Sequence, residues 1–288
     1  MEDNKSIQYM LLAGFFFALM NVCVKFVSHL PTLEVVLFRS VISLVATYLI
    51  LKQKRIPLLG TNKKLLIARG IAGCLGLIGS FYTLQNIPLA SAVTINYTAP
   101  LFTAVLGIFI VKQPVRPIQF LFFSLAIAGV LMLKGFDTRI SNLDLIIGLL
   151  AALFAAIAYN IIAKIKTSEH PLVIIFYFPL ITIPFVGIYS IFHWQMPQGM
   201  DWFYLLLVGI LTQLAQYYMT LSYQTANLSK VASLTYLGVV YALGFGYLLF
   251  DESYNIYSIL GIVLIILAIL LNMKVKTTSS IKKGQESS

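Results

Sequence analysis

Long apolar segments, separated by short clusters of charged residues, prolines and glycines, run the length of this 288-residue chain. Lys5 and Lys25 enclose one stretch without a charged residue, and Asp144 and Lys164 enclose another. Each is long enough for a helix of about 20 residues, the length that crosses a hydrocarbon layer of ~30 Å. The breaks predict ten membrane-spanning helices, at residues 7–28, 33–51, 66–85, 90–111, 116–134, 145–165, 171–192, 202–223, 229–250 and 255–273.

The composition supports an all-α integral membrane protein. The chain is 59% hydrophobic and only 10% charged, whereas soluble domains carry about 25% charged residues. Cys23 and Cys74 both lie inside apolar segments, where free cysteine acts as a small hydrophobe. No metal-ligand spacing and no Gly-x-x-x-x-Gly-Lys-Ser/Thr run occurs in the sequence. We therefore expect no metal, no cofactor and no ATP-driven step.

Basic residues are distributed unevenly between alternate loops. If the N-terminus is cytoplasmic, most lysines and arginines, Arg69 among them, fall on the inner side, and few fall outside. The outer ones are Lys25, Arg39, Lys134 and Arg139. This asymmetry predicts a multi-pass protein of the plasma (inner) membrane with both termini in the cytoplasm. Anionic inner-leaflet lipid accounts for the net charge of +10 without a nucleic-acid partner. The oligomeric state stays open, a monomer included.

The sequence contains an internal repeat. Asn21-Val-Cys-Val-Lys25 and Asn160-Ile-Ile-Ala-Lys164 share a pattern, and their numbers differ by 160 − 21 = 139. This repeat offset also pairs Gly60 with Gly199, Gly70 with Gly209, Gln85 with Gln224, Tyr97 with Tyr236 and Gly107 with Gly246. Each copy holds five spans, an odd number, so the second copy is inverted. We predict five-helix repeats at 1–139 and 140–276, followed by a disordered cytoplasmic tail at 277–288.

Inverted repeats recur in secondary transporters, because two similar halves can rock between outward-open and inward-open arrangements. We therefore predict a secondary transporter of a small organic metabolite that works by alternating access. A facilitative channel or a membrane scaffold without transport is the alternative. An enzyme would need acid, base, nucleophile or metal ligands that converge at one depth. The scattered His, Cys and carboxylate residues do not provide such a set.

Three features resemble a known family. Arg39 lies in the second span, Ala90-Ser-Ala-Val-Thr-Ile-Asn-Tyr-Thr-Ala-Pro100 opens the fourth, and Asp251-Glu252 follows the ninth. Together they resemble the EamA-type branch of the drug/metabolite transporter superfamily. The resemblance implies ten helices, a central substrate cavity between the halves and small organic solutes, often amino acids, as cargo. The first half has Gln113-Pro114 where the family commonly carries an acidic residue, so that acid is kept only at Glu252.

Span eight has the richest set of polar side chains for a cavity wall. Gln213, Gln216, Tyr217 and Thr220 recur at three- and four-residue intervals and therefore share one helical face. This face suits a solute with amino, carboxylate or amide groups. Helix-to-helix hydrogen bonds, each contributing about 0.6 kcal/mol, are the alternative use of the same residues.

Other polar residues are further candidates for substrate binding. Asn96 and Tyr97 in span four come next, with Tyr236 in span nine. Pro100 in span four cannot donate a backbone hydrogen bond, which predicts a kink or a freed carbonyl there. Asn21 and Asn160 are either matched elements of two gates or structural helix contacts. The candidate substrate-binding residues are thus Gln213, Gln216, Tyr217, Thr220, Asn96, Tyr97, Tyr236, Asn21, Asn160 and Arg39. Lys25 and Lys164 are expected to reach the headgroups.

Arg39 lies about six residues, or ~9 Å, inside span two. It either binds a substrate carboxylate or is a structural charge near the outer mouth, with Glu34 as one possible partner. The sequence places no carboxylate at mid-membrane, so we expect a facilitator or exchanger, or a carrier whose proton step uses Glu34 or Glu252 at the rim. A neutral or zwitterionic, amino-acid-like metabolite fits this pattern.

Overall fold

The computed structural model describes residues 2–112, 117–165, 168–225 and 237–274. Within these ranges the chain forms α-helices joined by loops, and no strand. The helices are α1 (Glu2–Phe26), α2 (Thr32–Gln53), α3 (Lys63–Asn86), α4 (Leu89–Asn96), α5 (Ala99–Ile110), α6 (Pro117–Phe136), α7 (Asn142–Ile165), α8 (Pro171–Phe192), α9 (Asp201–Thr225), α10 (Leu237–Phe250) and α11 (Ile256–Lys274).

Seven segments of the described chain are long and apolar enough to cross a membrane. They are α1, α2, α3, the α4–α5 segment taken as one span, α6, α7 and α8. α10 and α11 are shorter apolar helices. For each predicted span whose two ends lie in the described ranges, the observed helical segment has the same ends to within a few residues. This agreement is expected for apolar runs that are bounded by charged residues.

The predicted fourth span is broken in its middle. α4 ends at Asn96 and α5 begins at Ala99, and Pro100 lies in the first turn of α5. Proline has no N–H to donate to the carbonyl four residues earlier, so the helical ladder stops there. At the break, the Thr98 hydroxyl donates to the Ile95 carbonyl at 2.7 Å. The helix is therefore interrupted just before Pro100.

The two halves pack on each other in matched pairs. α1 of the first half packs on α9 of the second, and the equivalent pair, α7 and α3, packs in the same way. The two second helices, α2 and α8, pack together, as do the two last helices, α6 and α11. Every one of these contacts has its symmetry mate, as two inverted five-helix repeats require.

One pair of contacts shows the symmetry at the level of side chains. A Cβ added to Gly70 would lie 2.9 Å from the Cβ of Ile181, and a Cβ added to Gly209 would lie 2.7 Å from the Cβ of Ile42. The repeat offset relates Gly70 to Gly209 and Ile42 to Ile181. Each glycine therefore lets an isoleucine of the other half approach its helix closely.

The bundle has a lysine-poor end and a lysine-rich end. The lysine-poor end carries the loops at 27–31, 137–141, 193–200 and 251–255. The lysine-rich end carries the loops at 54–62 and 168–170. Between them, a buried apolar core takes side chains such as Val24, Phe81 and Ile262 from both halves, so the halves form one packed unit.

Candidate functional site

An ion pair joins the halves at the lysine-poor end. Lys25, near the end of α1, contacts the Glu252 carboxylate that follows α10, and both side chains are largely buried. The Lys25 ammonium also donates to the Ile87 carbonyl at 2.8 Å. The expectation that Lys25 reaches the headgroups is therefore wrong, because a buried carboxylate lies within its reach. Lys164, its counterpart, is exposed.

Glu252 is also the anchor for the start of α4. Its carboxylate accepts from the Leu89 backbone N–H at 2.8 and 3.1 Å and from the Tyr254 hydroxyl at 2.5 Å. The first N–H groups of a helix lack partners within the helix and favour negative charge. One carboxylate therefore binds α1, α4 and its own loop together.

Loop contacts between the halves occur at both ends. At the lysine-poor end, His29 Nε2 lies 3.0 Å from the Asp201 carboxylate. At the lysine-rich end, Glu169 accepts from the Thr61 hydroxyl at 2.7 Å and from the Asn62 backbone N–H at 2.5 Å. Asn62 and Asp201 are related by the repeat offset, so both contacts join equivalent parts of the repeat.

Two arginines meet between the halves. The Arg39 guanidinium carbon lies 5.4 Å from the centre of the Phe178 ring and 5.8 Å from that of Phe81. The Arg69 guanidinium carbon lies 4.9 Å from the Phe178 ring on α8. Phe178 therefore contacts both cations, each of which gains from the negative face of the ring.

Neither arginine has a counter-ion within the described residues. There the ion pairs are Lys25–Glu252, His29–Asp201 and Arg139–Asp137. The Nε and Nη1 atoms of both Arg39 and Arg69 are buried without a hydrogen-bond partner in the same part of the chain. Arg39 is only 5% exposed. The possible Arg39–Glu34 pair does not form, because Glu34 instead accepts from the Gln195 N–H at 3.1 Å.

Arg39 and Phe178 occupy equivalent positions of the repeat, since 178 − 39 = 139. Residues related by a two-fold axis can contact each other only close to that axis. The cluster of Arg39 and Phe178 therefore lies at the axis that relates the halves, where carriers built from inverted repeats place their substrate sites.

Arg69, one of the charges expected on the inner side, lies well inside a helix. The Asn62 side chain caps α3 by accepting from the Leu65 N–H at 3.4 Å, so α3 starts at Lys63 and Arg69 falls in its second turn. Gly73, one turn further, makes room for the cluster. A Cβ there would lie 2.9 Å from the Phe178 ring and 3.3 Å from Arg69 Nη1. Asparagine before a helical run is a cap signal that the sequence itself carries.

Tyr159 on α7 completes this group. It lies near Arg69 and is 53% exposed. Arg69, Phe178 and Tyr159 each lie about two helical turns from the lysine-rich ends of their helices. The arrangement offers guanidinium donors, an aromatic ring and a phenol at similar depth.

The predicted face of α9 divides into different environments. The Gln213 amide donates to the carbonyl and to the hydroxyl of Ser43 on α2, at 2.9 Å each, which is a helix-to-helix contact. Gln216 is half-buried, and Tyr217 is 58% exposed. Thr220 lies on α9, but its side chain is outside the described part of the structure.

The other predicted residues are spread over the bundle. The Asn96 carbonyl oxygen accepts from the Ser80 hydroxyl at 3.1 Å. The Tyr97 hydroxyl lies against Gly238 of α10. Tyr236 lies outside the described residues. Asn160 donates to the Thr103 carbonyl at 3.1 Å and so ties α7 to α5. Asn21 is half-buried on α1.

Two inverted halves, packed around a polar cluster on their axis, define the class of helical membrane proteins built from inverted repeats. The chain belongs to the EamA-like transporter family, whose profile matches residues 4–134 and 143–274. Membrane transport is therefore its function, and the profile matches each half separately.

Similar proteins are found in bacteria and in animals. "Pseudopaline exporter CntI" of Pseudomonas aeruginosa (strain UCBPP-PA14) is 31% identical over 265 residues, which cover 90% of this chain and 92% of that protein. "Solute carrier family 35 member G1" of Homo sapiens is 27% identical and covers 85% of this chain and 72% of that protein. A solved crystal structure at 17% identity has a TM-score of 0.62 and covers 92% of this chain and 95% of the other, which supports the fold.

Proposed function

We propose that this protein is a secondary transporter that moves a small, amino-acid-like organic metabolite by alternating access between its two halves. The contact between Lys25 and Glu252 carries this proposal. It joins α1 of the first half to the loop after α10 of the second half and closes the lysine-poor end. A buried ion pair at a boundary between halves is suited to forming in one conformation and breaking in the other.

The two ends differ in the strength of this closure. At the repeat offset, Glu252 corresponds to Gln113, and Lys25 corresponds to Lys164. An amide in place of the carboxylate removes the acidic partner that an equivalent ion pair at the lysine-rich end would need. The sequence therefore favours a state closed at the lysine-poor end over the opposite state.

The orientation follows from the distribution of basic residues. The lysine-rich end faces the cytoplasm under the positive-inside rule, so the closed end faces outward. A relative that is named as an exporter supports export as the direction of net flux. The substrate would contact Arg39 at the axis, with the predicted polar side chains of α4 and α9 as further contacts.

The test is transport in liposomes that contain the purified protein, preloaded with amino acids and other small metabolites. Saturable counterflow is the expected result. Ohmic flux that does not saturate would favour a channel, and no flux with any solute would favour a scaffold.

A cross-link tests whether the lysine-poor end must open during transport. Phe26 on α1 and Phe250 on α10 have ring centres 4.9 Å apart, and they lie beside the ion pair without forming it. In a background without Cys23 and Cys74, a short bismaleimide should stop counterflow in the Phe26→Cys/Phe250→Cys variant. Each single variant is the control. Full transport in the cross-linked double variant would contradict movement at this end.

A further inference from the structure

We infer that Arg39 and Arg69 form a carboxylate-binding site on the axis between the halves, so that the cargo is a small organic acid or zwitterion with a free carboxylate. This inference rests on the proposed transport function and narrows its substrate class, because it removes neutral solutes without an acidic group.

The charge balance of the cluster is the first argument. Arginine keeps its proton in proteins, and an isolated buried charge is costly unless it is paired. The Arg39 and Arg69 guanidinium carbons lie 5.4 and 4.9 Å from the centre of the same Phe178 ring, so two like charges are close together. Neither contacts a carboxylate within the described residues. A bound anion would relieve both the missing hydrogen bonds and the repulsion.

The geometry of the guanidinium groups is the second argument. Phe178, which lies 5.4 Å from Arg39 and 4.9 Å from Arg69, can stabilise a face of each cation. The N–H donors of a guanidinium point outward in its plane, in a fork that matches the two oxygens of a carboxylate. The buried Nε and Nη1 atoms of both residues have no partner among the described residues and are open to such a ligand.

The broken symmetry of the cluster is the third argument. The position equivalent to Arg39 holds Phe178, and the position equivalent to Arg69 holds Val208. The fold therefore tolerates uncharged side chains at both positions of the repeat. Two arginines in one half, directed to the axis, are explained by a ligand more readily than by packing.

Tyr159 extends the site toward the lysine-rich end. Its half-exposed side chain and Arg69 both lie about two helical turns from the lysine-rich ends of their helices, whereas Arg39 lies about four turns from the lysine-rich end of α2. A carboxylate that enters from that end would meet Tyr159 and Arg69 first and Arg39 last. Arg69 and Arg39 would thus act as successive binding groups for one cargo.

Thermal unfolding of the purified, detergent-solubilised full chain tests the site without knowledge of the cargo. The probes are acetate, glutarate and citrate, compared with glutaramide, the neutral counterpart of glutarate, and with sodium chloride at equal ionic strength. At least one carboxylate should raise the Tm saturably, and glutaramide should not. Arg39→Gln and Arg69→Gln should each weaken the apparent affinity at least tenfold. Lys52→Gln, the same charge change at an exposed position of α2, should leave it unchanged.

The Tm of arginine variants measured without any added carboxylate separates a role in binding from a role in folding. If the arginines serve a ligand, Arg39→Met and Arg69→Met should have a Tm equal to or above that of the wild type, because an unpaired buried charge is removed. A fall in Tm for both variants, or the absence of any saturable carboxylate effect in the wild type, would overturn the site. Arg39→Lys, which keeps the charge without the fork, should retain weak binding.

Counterflow distinguishes this inference from the transport proposal. Saturable counterflow of a solute without a carboxylate, unchanged in Arg69→Gln, would support transport and contradict the carboxylate site. Arginine-dependent carboxylate binding without counterflow of any carboxylate would support the carboxylate site and contradict transport.

Discussion

Lys25 of the first half and Glu252 of the second half form a buried ion pair at the lysine-poor end, and the same carboxylate accepts two hydrogen bonds from the Leu89 N–H. The pair therefore couples α1 and the broken α4–α5 segment to the loop after α10. Replacement of Glu252 by glutamine would leave the Lys25 ammonium buried beside an amide. Breaking a buried ion pair in this way destabilises the folded state by about 3–5 kcal/mol.

Glu252→Gln is expected to open the lysine-poor end. Ser91, two residues beyond the anchored Leu89, is fully buried and serves as the reporter. In a Ser91→Cys chain without Cys23 and Cys74, an impermeant maleimide added from that side should react at least tenfold faster once Glu252→Gln is present.

Asp251→Asn is the matched control for this change, because Asp251 is an exposed neighbour of Glu252. Its left-handed backbone, with φ of 50°, suits asparagine as well as aspartate. Equal labelling rates in the wild type and in Glu252→Gln would show that the ion pair does not close this end.

Gln113→Glu is expected to shift the protein toward closure of the lysine-rich end. The change places a carboxylate at the sequence position equivalent to Glu252, where Lys164 is the counterpart of Lys25. In a Tyr159→Cys reporter chain, labelling from the lysine-rich side should slow several-fold. The double change with Lys164→Gln should restore the original rate, and if it does not, the carboxylate acts through another partner.

Gln213 and Gln216 are expected to respond differently to truncation. Because the Gln213 amide is bonded to Ser43, Gln213→Ala should lower stability by about 1 kcal/mol and leave the KM for transport unchanged. Gln216→Ala should raise the KM if the predicted face of α9 contacts the cargo. Unchanged kinetics in both variants would remove α9 from the binding site.

The sequence predicts the fold well, because membrane spans are constrained by length and charge alone. The repeat offset that relates Asn21 to Asn160 also relates Arg39 to Phe178. The contact between Arg39 and Phe178 can therefore be inferred from the repeat offset. It is absent from the sequence predictions because phenylalanine in an apolar helix carries no signal of its own.

The pairing of charges is harder to predict. Lys25 and Glu252 lie near opposite ends of the chain, and only the packing of the halves brings them together. Arg69 falls in the first turn of the predicted span 66–85, where an arginine can still reach water. The cap at Asn62 starts α3 at Lys63 instead, so Arg69 lies one turn deeper, and its Nε and Nη1 atoms are buried.

Glu169 at the lysine-rich end predicts a dependence of stability on pH. Burial raises the pKa of this carboxyl, but the hydrogen bonds from Asn62 and Thr61 outweigh burial and hold the pKa below its ordinary value. The folded state then binds fewer protons than the unfolded state, so the stabilisation is complete above the unfolded pKa of about 4.3. It is lost as the pH falls through the lowered folded pKa.

The measurement is the difference in Tm between the wild type and Glu169→Gln from pH 7 to pH 3.5. The wild type should be the more stable protein at neutral pH, and the difference should shrink below pH ~4.3. Subtraction of the variant cancels the titration of the other carboxylates. A difference that is constant with pH would mean that the Glu169 contact does not depend on its charge.

The mirrored glycine contacts give a test of the repeat itself. Gly209→Ala would place a Cβ 2.7 Å from that of Ile42, and Gly70→Ala would place one 2.9 Å from that of Ile181. Overpacking of this kind costs about 1–3 kcal/mol, so both variants should lower the Tm. Ile42→Ala should rescue only Gly209→Ala, and Ile181→Ala should rescue only Gly70→Ala. Gly244→Ala is the control, because nothing lies within 4 Å of an added Cβ there. Rescue of Gly70→Ala by Ile42→Ala, or of Gly209→Ala by Ile181→Ala, would contradict the alignment of the two halves. The position of the arginine cluster depends on that alignment.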